Sequence, residues 1–231
     1  MMQKAIDNIR QTIRLSAGNS GRSEEDITLI GVSKTFPAEH ILPAVQLGIT
    51  DLGENRVQEL VEKYDQLPDV RWHLIGHLQK NKVKYIIDKV YMIHSVDSYD
   101  LALEINKRAQ AIGKRQKILV QVSMVGEESK FGIAPDLCLN LVNEISRLKF
   151  IEVCGIMTIP PLYDDPNMTR KLFKDCRSLF EEIKLANIPG VNMQHLSMGM
   201  SADYPIAIEE GATMVRLGRI IFGARDYNQV I

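Results

Sequence analysis

The sequence has few cysteines, almost no net charge and no long apolar run. Its three cysteines, Cys138, Cys154 and Cys176, stand far apart without a Cys-x-x-Cys pair, which excludes a disulfide scaffold and a zinc knuckle. The 28 Lys and Arg balance 29 Asp and Glu, so no overall field attracts nucleic acid or an anionic membrane. No apolar run approaches the ~20 residues that span a bilayer, and the first residues lack the apolar region of a secretory signal. These absences predict a cytoplasmic protein with no nucleic-acid or membrane partner.

What is present is a regular alternation of two patterns. Apolar runs rich in β-branched residues alternate with amphipathic stretches, and no linker rich in Gly, Ser or Pro divides them. The strand-like runs cover residues 27–32, 50–52, 71–75, 90–94, 117–122, 150–154, 191–196 and 213–216. Eight strands separated by helices predict one α/β domain over residues 1–231, a (β/α)8 TIM-type barrel, with a doubly wound open sheet as the alternative.

Two basic residues stand where a barrel places its chemistry, at the carboxyl ends of the strands. Lys34 follows the first strand, where burial lowers the pKa of an amine and leaves it nucleophilic toward an aldehyde. Arg216 lies in the last, otherwise apolar strand and must be paired or face a site. The alternatives are a surface lysine at a loop start and an arginine paired with a surface carboxylate.

The loops after strands seven and eight indicate a phosphate site. Residues 197–201 supply small side chains and two hydroxyls, and Gly218 and Gly223 allow close backbone approach after strand eight. Barrels often bind phosphate between these two loops, whose backbone N–H groups attract anions. The alternative is that the glycines only make tight turns. Asn55 also follows a strand, either as a site residue or as the cap of the next helix.

The histidines do not suggest a metal site. They are scattered, and the two that stand four residues apart, His73 and His77, fall in a predicted strand and the loop after it rather than in a helix. We therefore predict no bound metal and assign them to the core or to the surroundings of the site. The four concerned are His73, His77, His94 and His195.

Six ordered motifs together resemble one family. They are Val32-Ser33-Lys34-Thr35; Gly53-Glu54-Asn55 with Val57-Gln58-Glu59; Trp72-His73-Leu74-Ile75-Gly76 with Leu78-Gln79-Lys80-Asn81-Lys82; Gly155-Ile156-Met157-Thr158-Ile159-Pro160; Leu196-Ser197-Met198-Gly199-Met200-Ser201; and Val215-Arg216-Leu217-Gly218 with Ile221-Phe222-Gly223. The set resembles the pyridoxal phosphate homeostasis proteins, relatives of the alanine racemase barrel domain, over essentially the whole chain.

The resemblance implies a fold-type-III barrel that binds pyridoxal 5′-phosphate (PLP). Lys34 would hold PLP as an internal aldimine, a Schiff base, and Arg216 would hydrogen-bond the pyridine nitrogen. An arginine stays protonated, so it disfavours protonation of that nitrogen and weakens carbanion chemistry. The other positions that match cofactor contacts are Asn55 and Met157 near the ring, and Ser197, Gly199, Ser201, Gly218 and Arg219 at the phosphate. Many members have Ser or Thr where this chain has Arg219.

The resemblance also implies a role. Alanine racemase has a second, β-rich domain and a tyrosine base from a dimer partner, which we expect this chain to lack. We therefore expect no catalytic residues, and a monomer that keeps PLP in homeostasis and delivers it to apo PLP-dependent enzymes. One alternative is a small PLP-dependent racemase or lyase with Tyr204 or His195 as base. Another is a barrel enzyme for a phosphorylated sugar that uses Lys34 differently.

Overall fold

The eight predicted strands are present, and they close into a barrel. The computed structural model describes residues 1–125, 131–161 and 163–224. The strands are β1 Thr28–Val32, β2 Asp51–Glu54, β3 Arg71–Leu74, β4 Met92–Val96, β5 Gln116–Val122, β6 Ile151–Thr158, β7 Val191–Ser197 and β8 Met214–Leu217. All neighbours are parallel, and β8 pairs with β1. The (β/α)8 prediction is confirmed, and the open-sheet alternative is wrong because the first and last strands pair.

Helices cover the outside of the barrel. They are α1 Met2–Asn19, α2 Ala38–Gln46, α3 Val57–Tyr64, α4 Tyr99–Ala111, α5 Pro135–Ile145, α6 Pro166–Leu185, α7 Tyr204–Glu209 and α8 Arg219–Phe222, with short 3₁₀ helices at Glu24–Asp26 and Lys80–Tyr85. Each longer helix turns an apolar stripe inward. In α1, for example, Ile6, Ile9 and Ile13 are buried, as their spacing of three and four predicts.

Strand β6 extends further past its predicted end than any other strand does. The β-branched run that marks β6 stops at Cys154, yet the strand continues to Thr158. Gly155 causes the difference: its φ is +151°, and a Cβ there would lie 1.8 Å from the carbonyl oxygen of His195. The pairing register of β6 with both neighbours shifts at this point. Gly155 therefore forms a β-bulge within β6 and does not end the strand.

The apolar core has two parts. The larger part joins the strands to the surrounding helices. The smaller part draws its buried members only from strands and forms an apolar layer inside the barrel: Ile30, Met92, Leu119, Cys154, Met157 and Met214. All three cysteines are buried and unpaired.

Candidate functional site

A cavity of about 500 Å³ lies at the carboxyl ends of the strands. Six of the nine residues predicted to contact a cofactor line it: Lys34, Asn55, Ser201, Arg216, Gly218 and Arg219. The pairing of β8 with β1 brings Arg216 and Lys34 to the same mouth. The other three, Met157, Ser197 and Gly199, are buried behind the cavity wall.

The backbone on both sides of Lys34 is tied to two carboxylates. The hydroxyl of Ser33 donates to Glu54 Oε1 at 2.6 Å, and the backbone N–H of Thr35 donates to Glu59 Oε2 at 2.6 Å. Thr35 has a φ of +71°, which is rare for a β-branched residue and costs conformational energy. Lys34 itself is half-buried. The strained turn and its two bonds therefore set the direction in which Lys34 leaves β1.

A buried lysine holds the two carboxylates together. Lys63 Nζ lies 2.8 Å from Glu54 Oε1, 3.4 Å from Glu59 Oε2 and 3.0 Å from the carbonyl oxygen of Ser33. Burial raises the pKa of Glu54, and its Oε2 has no hydrogen-bond partner among the described residues. We call Ser33, Glu54, Glu59 and Lys63 the Glu54 cluster. Sequence analysis missed its role, although Glu54 and Glu59 belong to the motifs quoted above.

Arg216 is held from two sides. Its Nη1 donates to Ser197 Oγ at 2.6 Å and its Nη2 to the carbonyl oxygen of Thr158 at 2.9 Å. Burial lowers the pKa of its guanidinium to about 10, so it stays protonated at neutral pH. Its remaining N–H groups are the ones available to a bound molecule, since a guanidinium has five. The alternative, an ion pair with a surface carboxylate, is not seen among the described residues.

Behind Arg216, two histidines continue the hydrogen bonding into the barrel. His94 Nδ1 lies 3.1 Å from Ser197 Oγ, and His94 Nε2 lies 2.9 Å from His73 Nδ1. His73 Nε2 lies 2.8 Å from Asp51 Oδ1, and Arg71 donates to Asp51 Oδ2 at 2.6 Å. Burial lowers the pKa of both imidazoles. We call Ser197, His94, His73 and Asp51 the Asp51 chain. These histidines are central to the structure, although their sequence spacing gave no sign of a connection.

The loop after β7 approaches its own helix closely. Gly199 has a φ of +92°, and a Cβ there would lie 2.5 Å from Ala207 Cβ. Asp203 Oδ1 accepts from the N–H of Met200 at 2.6 Å and braces the loop. Burial raises the pKa of this carboxyl. The loop thus presents residues 201–203 to the cavity, which Gly218 and Arg219 also line.

Three other expectations have clear outcomes. Asn55 is not the cap of α3: Arg56 occupies that position, without a side-chain capping bond, and Asn55 lines the cavity. Neither Tyr204 nor His195 is among the described lining residues. His77 does line it, stacked on Phe131 with 3.8 Å between ring centroids.

The described residues offer neither a metal site nor a membrane-spanning helix. Within the ranges given above, no group of three His, Cys, Asp or Glu side chains is placed to hold a metal ion. In the same ranges, no helix combines the length and apolar character needed to cross a bilayer.

Known proteins now place this barrel in a class. Residues 5–226 match the family described as "Alanine racemase, N-terminal domain". Pyridoxal phosphate homeostasis proteins are similar over most of their length. The one from Aquifex aeolicus (strain VF5) is 42% identical, with 96% of this chain and 97% of that protein covered. The one from Homo sapiens is 40% identical, with 87% and 78% covered. The chain belongs to the pyridoxal phosphate homeostasis protein family.

Solved structures agree with this assignment. PipY of Synechococcus elongatus PCC7942, in its structure with PLP bound, has a TM-score of 0.85 and 34% identity, over 96% of this chain and 100% of that one. Alanine racemase of Clostridium difficile 630 has a TM-score of 0.71 at 20% identity. This chain spans 59% of the racemase chain; at that identity, the likeness shows a shared barrel fold.

Proposed function

We propose that this protein binds PLP in the cavity at the barrel mouth and keeps it available to other proteins. The observation that carries the proposal is the meeting of Lys34 and Arg216 in one cavity that residues 201–203 and 218–219 also line. A PLP-bound relative of 34% identity with the same barrel supports it.

The cavity fits this cofactor in size and chemistry. Its volume of about 500 Å³ lies within the range of small-molecule sites. Lys34 is the amine that would bond the aldehyde carbon, and Arg216 would face the ring nitrogen. Ser201 and the backbone at Gly218 would face the phosphate, where the exposed Arg219 adds positive charge. Ser197, Gly199 and Met157 would shape the site from behind, since they are buried.

The same residues favour a carrier over a strong catalyst. Bound PLP supplies an aldehyde and an electron-poor ring that stabilises carbanions when its nitrogen is protonated. Arg216 remains protonated and donates its hydrogens, so it keeps a proton off the atom that it faces. We therefore propose that retention and release of PLP, rather than turnover of amino acids, is the activity.

A second candidate is a weak PLP-dependent racemase or lyase. His77 favours it, because this imidazole lines the cavity that contains Lys34 and is a suitable acid or base. Solvent deuterium incorporated at the α-carbon of an amino acid, and lost in both Lys34→Ala and His77→Gln, would support this candidate. Inertness across all twenty amino acids would reject it.

The first experiment is a visible absorbance spectrum with added PLP, followed by borohydride reduction and peptide mapping. We expect a yellow protein with the reduced adduct on Lys34. Lys34→Ala should keep the fold and lose the band, whereas Lys80→Ala, on an exposed 3₁₀ helix, should keep both. A colourless wild-type protein would reject the proposal and favour a phosphorylated sugar as ligand.

Delivery is a separate step with its own test. PLP-loaded protein is mixed with an apo PLP-dependent enzyme, and the return of that enzyme's activity is compared with the rate of spontaneous PLP loss. Transfer faster than loss supports delivery, and transfer no faster than loss rejects it. We further propose that residues 1–231 act in the cytoplasm as a single-domain monomer, which fluorescence imaging and sedimentation would check.

A further inference from the structure

The Asp51 chain runs through the barrel from one end to the other. Asp51 and Arg71 are the first residues of β2 and β3, at the amino ends of the strands. Ser197 is the last residue of β7, at the carboxyl end. The interior of a (β/α)8 barrel is ordinarily packed with branched apolar side chains. A line of buried polar groups there carries a desolvation cost unless every group is paired.

The donors and acceptors leave one arrangement of protons. The carboxylate of Asp51 only accepts, so His73 carries its proton on Nε2 and donates to it. A neutral His73 then accepts at Nδ1, so His94 carries its proton on Nε2 and donates to His73. His94 Nδ1 accepts in turn, so the Ser197 hydroxyl donates to it, and Ser197 Oγ accepts from Arg216, which only donates. Each neutral imidazole thus donates once and accepts once.

We propose that the Asp51 chain is a positioning device for Arg216. The carboxylate at the amino end sets the tautomers of His73 and His94. They keep the Ser197 hydroxyl turned away from Arg216, so that its oxygen accepts the Nη1 hydrogen. The second hydrogen bond, to the carbonyl oxygen of Thr158, fixes the plane of the guanidinium. The amino end of the barrel, which usually serves stability alone, therefore controls a side chain at the cavity.

A single isosteric substitution should reverse the direction of the hydrogen bonds in the Asp51 chain. In Asp51→Asn, the amide oxygen stays with Arg71, whose guanidinium only donates, and the NH2 group faces His73. His73 then has to accept at Nε2 and carry its proton on Nδ1, and His94 must follow. Each imidazole keeps one proton; only its position changes. Ser197 Oγ would then receive hydrogens from both Arg216 and His94, and its own hydroxyl would lose its acceptor.

The test is ¹⁵N NMR of histidine- and arginine-labelled protein without added PLP. In the wild-type protein we expect His73 and His94 to be neutral and protonated on Nε2. In Asp51→Asn we expect both to be protonated on Nδ1, with a shifted Arg216 guanidinium signal. The control is Asp100→Asn, the same change in an exposed ion pair with Lys80, which should alter none of these signals.

Binding measurements separate this inference from the proposed function. Only the expected effect on PLP affinity rests on the proposed function. Weaker polar contacts to a charged group should raise the PLP dissociation constant of Asp51→Asn by about three- to tenfold. Failure of the wild-type protein to bind PLP would reject the proposed function, while the Arg216 signal would still decide the inference. If Asp51→Asn changes the histidine tautomers but not the Arg216 signal, the positioning role is wrong. If it leaves the tautomers unchanged, the proposed coupling along the Asp51 chain is wrong.

A second variant covers the case in which Asp51→Asn does not fold. Ser197→Ala removes the link between His94 and Arg216 but leaves His73 bonded to Asp51. We expect the Arg216 signal to shift and the His73 signals to stay as in the wild-type protein. An unmoved Arg216 signal in this variant would also overturn the inference.

Discussion

Lys34 and Arg216 share one cavity, yet the barrel holds them in opposite ways. Lys34 is positioned through its backbone, by the charged Glu54 cluster bonded to Ser33 and Thr35. Arg216 is positioned through its side chain, by the neutral imidazoles of the Asp51 chain. The first arrangement fixes the backbone at Lys34, which suits the proposed role of a side chain that forms and breaks a bond. The second keeps the arginine in one orientation, which suits a group that only donates hydrogen bonds.

The largest effect is expected from a substitution that breaks the Glu54 cluster. Lys63→Met leaves Glu54 buried without its cation, so we expect the free energy of unfolding to fall by about 3–5 kcal/mol, measured by urea denaturation. The double variant Glu54→Gln with Lys63→Met should recover most of the loss. A single variant that loses under 1 kcal/mol would show that this buried pair does not support the turn at Lys34.

Lowering the pH should separate the two regions, because the stability contributed by His94 and that contributed by Glu54 change in opposite directions. His94 has a lowered pKa in the folded protein, so its contribution to stability is lost as the pH falls below the unfolded value of about 6.5. Glu54 has a raised folded pKa, so stability is gained as the pH falls through that value. We expect the free energy of unfolding of the wild type, relative to that of His94→Gln, to fall toward acid by up to about 1.4 kcal/mol per pH unit. Urea denaturation between pH 5 and 8 measures it.

The matched variant on the other side is Glu54→Gln. Its stability relative to the wild-type protein should decrease toward acid, since the wild type alone gains a proton at this carboxyl. The stability of each variant relative to the wild type, plotted against pH, should therefore have a slope of opposite sign for His94→Gln and Glu54→Gln. Slopes of the same sign for His94→Gln and Glu54→Gln would contradict the contrast between the neutral imidazoles of the Asp51 chain and the charged Glu54 cluster.

A smaller effect is expected where the Asp51 chain meets Arg216. Ser197→Ala removes a fully buried hydroxyl between two partners, and we expect a loss of about 1–3 kcal/mol. Ser178→Ala is the control, because that hydroxyl is exposed on α6 and bonds only its own helix. Equal losses in the two variants would mean that the buried hydroxyl has no special role.

The smallest effect concerns the strained turn beside Lys34. Thr35→Gly should stabilise the protein by roughly 0.5–1 kcal/mol, because glycine adopts the φ of +71° without steric cost. Asn187→Gly, at a φ of +47°, should gain less, since asparagine tolerates this conformation. Destabilisation by Thr35→Gly would show that the threonine side chain contributes more than its strain costs.

The strand pattern was predictable because each strand is a local run of apolar, β-branched residues. Lys34 and Arg216 were predictable as neighbours because closure of a parallel barrel places all strand ends at one rim. The extension of β6 past Gly155 was missed, since a bulge interrupts the local pattern. The Glu54 cluster and the Asp51 chain were missed because each joins residues of several elements, which meet only through tertiary packing.

The sequence by itself determined the order of strands and helices and the motifs of the family, since periodicity and short motifs are local properties. It favoured the (β/α)8 barrel, but the pairing of β8 with β1 decided the closure. Only the tertiary structure decided which polar residues touch. His73 and His94 lie 21 residues apart on adjacent strands, and His94 meets Ser197 across 103 residues. Burial then decided their chemistry, because an imidazole removed from water stays neutral and must donate and accept in a fixed direction.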